Sequence, residues 1–178
     1  MASRAEEGTS TIPSQETETN GWETGLRAVS VGCIGLLMLL GLLGLFGVRS
    51  SVATASGNGL SIAVTHAAIT RPGLATPFSV EVRSEDGSPL PASVTLRVDS
   101  AYLALFDENG LDPEPSSSFA DAEWTWWSFD IPPEAGVLEF SFDARLEPAV
   151  QRGRGATTAV EIDGREMVAV EFDTWVMP

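Results

Sequence analysis

The densest group of chemically able side chains is Glu123-Trp124-Thr125-Trp126-Trp127-Ser128-Phe129-Asp130. If this run is a strand with Trp127, Phe129 and Ile131 toward a core, the period of two puts Trp124, Trp126, Ser128 and Asp130 on the opposite face. Two indoles one strand repeat apart, about 7 Å, make a platform for a sugar ring, an apolar protein surface or the membrane interface. The competing expectation is that a neighbouring loop, or Trp175 near the chain end, covers both indoles. Trp124, Trp126, Asp130 and Trp175 are the candidate binding residues.

Other clusters offer weaker chemistry. Asp107-Glu108-Asn109-Gly110-Leu111-Asp112, followed by Glu114, gathers oxygen ligands of the kind Ca²⁺ takes, with Asp107, Asn109 and Asp112 as candidates. Their spacing is not that of an EF-hand, and acidic turns are built from the same residues. Glycoside hydrolysis would need a carboxylate pair about 5–9.5 Å apart, for which Asp130, Glu139 and Asp143 are available. There is no Gly-x-Ser-x-Gly elbow and no phosphate loop, and His66 is the sole imidazole. These absences predict no catalysis and no cofactor. Gln151-Arg152-Gly153-Arg154-Gly155 is a basic loop, expected as a solvated hairpin tip that could also meet an anionic polymer or headgroup.

Charge and cysteine usage narrow the field further. The 178 residues hold ten basic and twenty-five acidic side chains, a net charge of −15, with one Cys and no Lys. Duplex binding needs clustered cations to neutralise phosphates, and a disulfide framework needs paired cysteines, so both classes are excluded. No nucleic acid partner is expected.

The elements that would carry these residues fall into distinct segments. Ala28 to Val48 is a run of 21 residues without a charge, long enough as a helix, at about 31 Å, for a bilayer core. Trp22 lies near one headgroup level, and Arg27 and Arg49 bracket the run. Ala53-Thr54-Ala55 fits a signal-peptidase site, so cleavage after Ala55 is the alternative to a retained anchor; the apolar run is longer than a typical signal core, and its leading segment is acidic. Cys33 is read as a small helix residue. Ala28, Gly32 and Gly35 share one helix arc and Gly41, Gly44 and Gly47 a second, the small-residue pattern that lets helices in lipid approach closely. Arg4 and Arg27 nearly balance Arg49 and Arg71 across the span. The reading favours a cytoplasmic N-terminus and an extracytoplasmic body, as in a signal anchor.

The predicted organisation is a disordered tail over 1–25, the transmembrane helix over 26–49, a flexible Ser/Gly/Ala linker over 50–58 and a folded domain over 59–178. In that domain apolar side chains alternate in seven runs: Leu60-Ile62-Val64, Phe78-Val80-Val82, Val94-Leu96-Val98, Trp127-Phe129-Ile131, Leu138-Phe140-Phe142, Val160-Ile162 and Val168-Val170-Phe172. Asp163-Gly164, Glu85-Asp86-Gly87-Ser88-Pro89 and Asn109-Gly110 are turn signals. The apolar end, Phe172 to Pro178, is expected to complete a sheet as its last strand. The fold class is all-β, a two-sheet immunoglobulin-like sandwich behind one transmembrane helix.

The run from Val80 to Leu96, with Glu85-Asp86-Gly87-Ser88-Pro89 as its turn, resembles the strand-turn-strand of bacterial immunoglobulin-like domains of adhesin-type surface proteins. That resemblance covers some seventeen residues. It implies a spacer or binding module at the cell surface and no catalytic residue. The expected function is docking to another envelope or membrane protein, through the span, the Trp124/Trp126 face, or both. A cell-wall glycan-binding module is the alternative, and a secreted hydrolase with paired carboxylates the third reading.

Overall fold

The computed structural model describes residues 21–44 and 47–177 of the chain. Two units are present, one ending at Phe46 and the other starting at Gly47. The first holds helix α1 (Gly21–Leu42), the one helix among the described residues that is long and apolar enough to cross a bilayer. It starts five residues earlier than the 26–49 expectation and stops seven residues sooner. The stop has a local cause: Gly44 takes a left-handed φ of 69°, and its N–H bonds the Gly41 carbonyl at 3.0 Å, which tightens and ends the last turn. Residues 21–25, expected in the disordered tail, belong to this helix; the remainder of that tail lies outside the described residues.

The second unit is all-β around one core. Its elements are β1 (Arg49–Gly57), β2 (Leu60–Thr70), β3 (Ala75–Ser84), β4 (Ser93–Asp99), the short α2 (Ser100–Leu103), β5 (Phe106–Asp112), β6 (Ser117–Ala120), β7 (Trp124–Asp130), β8 (Val137–Leu146), β9 (Gly155–Ile162), β10 (Arg165–Asp173) and β11 (Trp175–Val176). One sheet has the antiparallel order β1-β2-β3-β8-β5, and the other the order β10-β9-β4-β7-β6. β1 lies along one edge of β2. On the other edge β3 pairs as far as Thr65, and β11 then pairs in parallel at Ile69 and Thr70.

The 50–58 stretch is therefore not a linker. It is strand β1, and it turns into β2 at Asn58-Gly59, whose φ values of 50° and 79° are the two positive angles of a type I′ hairpin. Gly57 and Asn58 also reach the other sheet. The Asn58 amide donates to the Met167 carbonyl, and a side chain at Gly57 would sit 3.1 Å from that same oxygen. Met167 is the residue left over where the β9–β10 register shifts between Glu166 and Val168, so a bulge frees the carbonyl that Asn58 takes.

The core follows the alternation in the sequence. All three apolar positions in each of the first five expected runs are buried, together with Val160, Val168, Val170 and Phe172. Trp127 and Phe129 from one sheet meet Phe140 from the other, with ring centroids 5.0 and 5.1 Å apart. Burying each such side chain contributes about 1.5–3 kcal/mol, set against the entropy of ordering the chain. α2 adds Tyr102, which packs edge-on to Phe106 and Phe172. Asp99 starts this turn by accepting the Ala101 and Tyr102 N–H groups at 2.9 and 3.1 Å.

Candidate functional site

Strand β7 lies between β4 and β6. Its pleat sends Trp127 and Phe129 into the core and leaves Trp124, Trp126, Ser128 and Asp130 outward, as the period of two predicts. Both outward indoles are half-buried. Neither is covered by Trp175, which stands exposed on β11 in the other sheet.

The covering groups come from the flanking strands. Trp126 has Arg97 of β4 and Phe119 of β6 as its two register partners. Phe119 tilts over it with centroids 5.4 Å apart and remains 64% exposed. The Arg97 guanidinium reaches past its direct neighbour to lie 4.4 Å from the centre of the Trp124 ring. Its other nitrogens bond Glu161 of β9 at 2.8 Å and Glu166 of β10. The outer face of this sheet thus grades from carboxylates through one guanidinium to three aromatic rings at the β6 edge.

The hairpin that positions the rings is set by Asp121, whose carboxylate accepts the Glu123 and Trp124 N–H groups, both at 2.8 Å. Those two bonds hold the Asp121 pKa below the usual carboxylate range. The Asp121 N–H donates to the Trp124 carbonyl at 2.8 Å and fixes the parity of the ladder. By the antiparallel alternation, the backbone groups of Ser118 and Ala120 then face away from β7, toward the open edge.

The four sheet edges differ in how they discourage pairing. β1 opens with a charge and a register shift, β5 carries Asp107, Asp112 and a shift between Asn109 and Asp112, and β10 carries four charged side chains and the Met167 bulge. β6, Ser117-Ser118-Phe119-Ala120, has no charge, proline or register shift. Its shortness is the one protective device it retains.

The remaining candidates separate. Asp130 is exposed six residues along β7 from Trp124, about 20 Å away. It lines a groove of about 430 Å³ that Glu139, Glu114 and Pro132 also line, whereas Asp143 lies on β8 between Pro77 of β3 and Asn109 of β5, outside that groove. Asp107, Asn109 and Asp112 are on strand β5 rather than in a loop, opposite Arg145, Asp143 and Ser141, and Gly110, at φ 65°, sits in the bulge between them. Among the described residues no three His, Cys, Asp or Glu side chains converge on one ion position. Of the small-residue arcs, Ala28, Gly32, Gly35 and Gly41 lie on α1, while Gly44 and Gly47 lie beyond its end.

The basic loop is packed rather than a free hairpin tip. The Thr174 N–H donates to the Arg154 carbonyl at 3.1 Å, and a side chain at Gly153 would come within 1.7 Å of the Thr174 carbonyl oxygen. Phe119 is the site residue that the reading of the sequence missed. Its signal was a phenylalanine across a three-residue Asp-Ala-Glu turn from the tryptophan run.

Compared with known proteins, the chain matches no family model and no curated sequence.

Proposed function

We propose that the chain is a membrane-anchored extracytoplasmic binding protein that docks another envelope or membrane protein on the Phe119/Trp126/Trp124 face. α1 is its retained anchor, with the N-terminus in the cytoplasm. The body is an immunoglobulin-like sandwich of the adhesin type. The strand order supports this: β2-β3-β8-β5 and β10-β9-β4 match the two sheets of the immunoglobulin fold, the first as A-B-E-D and the second as G-F-C. β7 and β6 then extend the second sheet on its C-strand side, although β5 has already entered the first.

The carrying observation is the Phe119–Trp126 stack along an uncharged edge strand. Exposed aromatic rings beside an arginine are the side chains that dominate binding energy at protein interfaces. In mild detergent, the tagged chain is expected to co-purify with one stoichiometric membrane or envelope protein. That partner is lost from Phe119→Ala/Trp126→Ala. A chain that elutes alone and monomeric, with the double variant unchanged, contradicts the proposal.

A cell-wall glycan is the second ligand class, favoured by the Thr95 and Ser128 hydroxyls, which stand on the same outward face one row from Trp126. It requires quenching of tryptophan fluorescence by glycan fragments that Trp126→Ala abolishes. No response across a glycan panel removes it.

A further inference from the structure

We propose that the end of the body carrying Arg49 and Trp175 rests on the surface of the anionic bilayer that holds α1. This rests on the reading of α1 as a retained span.

The geometry begins at one row of the first sheet. Arg49 and Trp175 are the register partners of Ile69 on the two sides of β2, so the three side chains share a face. β11 runs parallel to β2, toward the end where β1 begins. Val176 turns into the core there and leaves Trp175 outward, 63% exposed. Leu74, in the connection that follows β2, is another large apolar side chain exposed at this end.

Arginine is concentrated at the same end. Arg71 follows β2, Arg145 donates through Nε to the Gly73 carbonyl at 2.9 Å, and Arg152 and Arg154 flank the glycine that packs on Thr174. With Arg49 these make five of the eight arginines from residue 49 onward, against six carboxylates over 99–107, 120–124, 145–155 and 173–177. One of those six is answered locally: Asp99 lies 3.8 Å from Arg154. At the opposite end, segments 83–93, 112–117, 130–139 and 162–166 hold two arginines against nine carboxylates. An anionic surface therefore repels the far end strongly and the Arg49 end hardly at all.

Chain length makes the same choice. Only six residues separate Leu42 from Arg49, a reach of at most about 25 Å even fully extended. β2 alone, with 11 residues, carries the chain about 36 Å from this end to the other. A tryptophan flanked by arginines is the pairing that headgroup regions favour, the indole at the interface and the guanidinium groups on lipid phosphates.

The test uses the full chain in vesicles of phosphatidylcholine with and without phosphatidylglycerol, all in a Trp22→Phe background so that the helix tryptophan is silent. With acyl chains brominated near the glycerol, tryptophan quenching is expected in phosphatidylglycerol vesicles. It is lost in the further variant Trp175→Phe, and weakened both by high salt and by Arg49→Gln/Arg152→Gln. Equal quenching with and without Trp175, or no dependence on phosphatidylglycerol, overturns the inference. A chain that fails to float with the vesicles instead overturns the reading of α1 as a span.

Discussion

The Tyr102 hydroxyl lies 3.1 Å from Thr174 Oγ1, and this hydrogen bond joins two buried side chains that are 72 residues apart in the chain. It ties α2 to the residue that links β10 with β11. Burial pushes the Tyr102 phenol up to about 12, and the bond to Thr174 acts against that rise. Because the folded value lies above the ordinary 10.0, the stability involved is complete below pH 10 and is lost as pH climbs toward 12. Tyr102 is the single tyrosine, so tyrosinate absorbance reads it alone. The native protein is expected to titrate near 12. Tyr102→Phe leaves the Thr174 hydroxyl unpaired and costs about 1–2 kcal/mol.

His66 predicts an acid limb. Its ring packs on Phe172 with centroids 4.7 Å apart, and its buried Nδ1 has no hydrogen-bond partner among the described residues. Burial lowers its pKa below 6.5, while the Ala67 backbone and the Asp173 charge pull weakly the other way. The folded state therefore binds the proton less well than the unfolded one. Stability should be full above pH 6.5 and decline as pH falls through 6.5 toward the folded value. Urea midpoints at pH 7.5 and pH 5 measure this; in His66→Phe the difference between them should shrink. An undiminished difference assigns the limb to carboxylates.

Gly153→Ala should destabilise by about 3 kcal/mol or more, since a methyl group there collides with backbone rather than with a movable side chain. Gly87→Ala tests a contrasting cost, the strain of a left-handed φ of 75° in open space, and is expected to lose about 1 kcal/mol. Denaturant melts of the two variants give the comparison.

Arg97→Met removes the partner of Glu161, whose side chain is only 14% exposed, and the expected loss is about 1–3 kcal/mol. Glu166 is half-exposed and contributes little to that figure. Adding Glu161→Gln should restore part of the loss, as a double-mutant cycle would show. Failure to restore any would place the role of Arg97 in its contact with Trp124.

The core was legible in the sequence because a strand with one buried face writes its apolar residues at every second position, and β2, β3, β4, β7 and β8 all do so. β1 was missed because its residues are small and lie mostly exposed on an edge, where backbone pairing to β2 holds the strand without an apolar stripe. Asn58-Gly59 carried the hairpin signal for it. β6 was missed for similar reasons: four exposed residues leave no period to read, and Phe119 acquires meaning only as the register partner of Trp126. Asn109-Gly110 read as a turn but supplies a bulge within β5, because β8 continues past it as a partner. Residue type alone groups Trp175 with Trp124 and Trp126, and the pairing of β11 with β2 in the other sheet separates them.

The docking face is tested most directly by placing a photoreactive amino acid at Phe119 and, as a control, at the similarly outward Val137, and irradiating intact cells. The expected result is one discrete cross-linked adduct from position 119, absent from 137 and abolished by Trp126→Ala. No adduct from 119, or the same adducts from both positions, would contradict the assignment of this face as the binding surface.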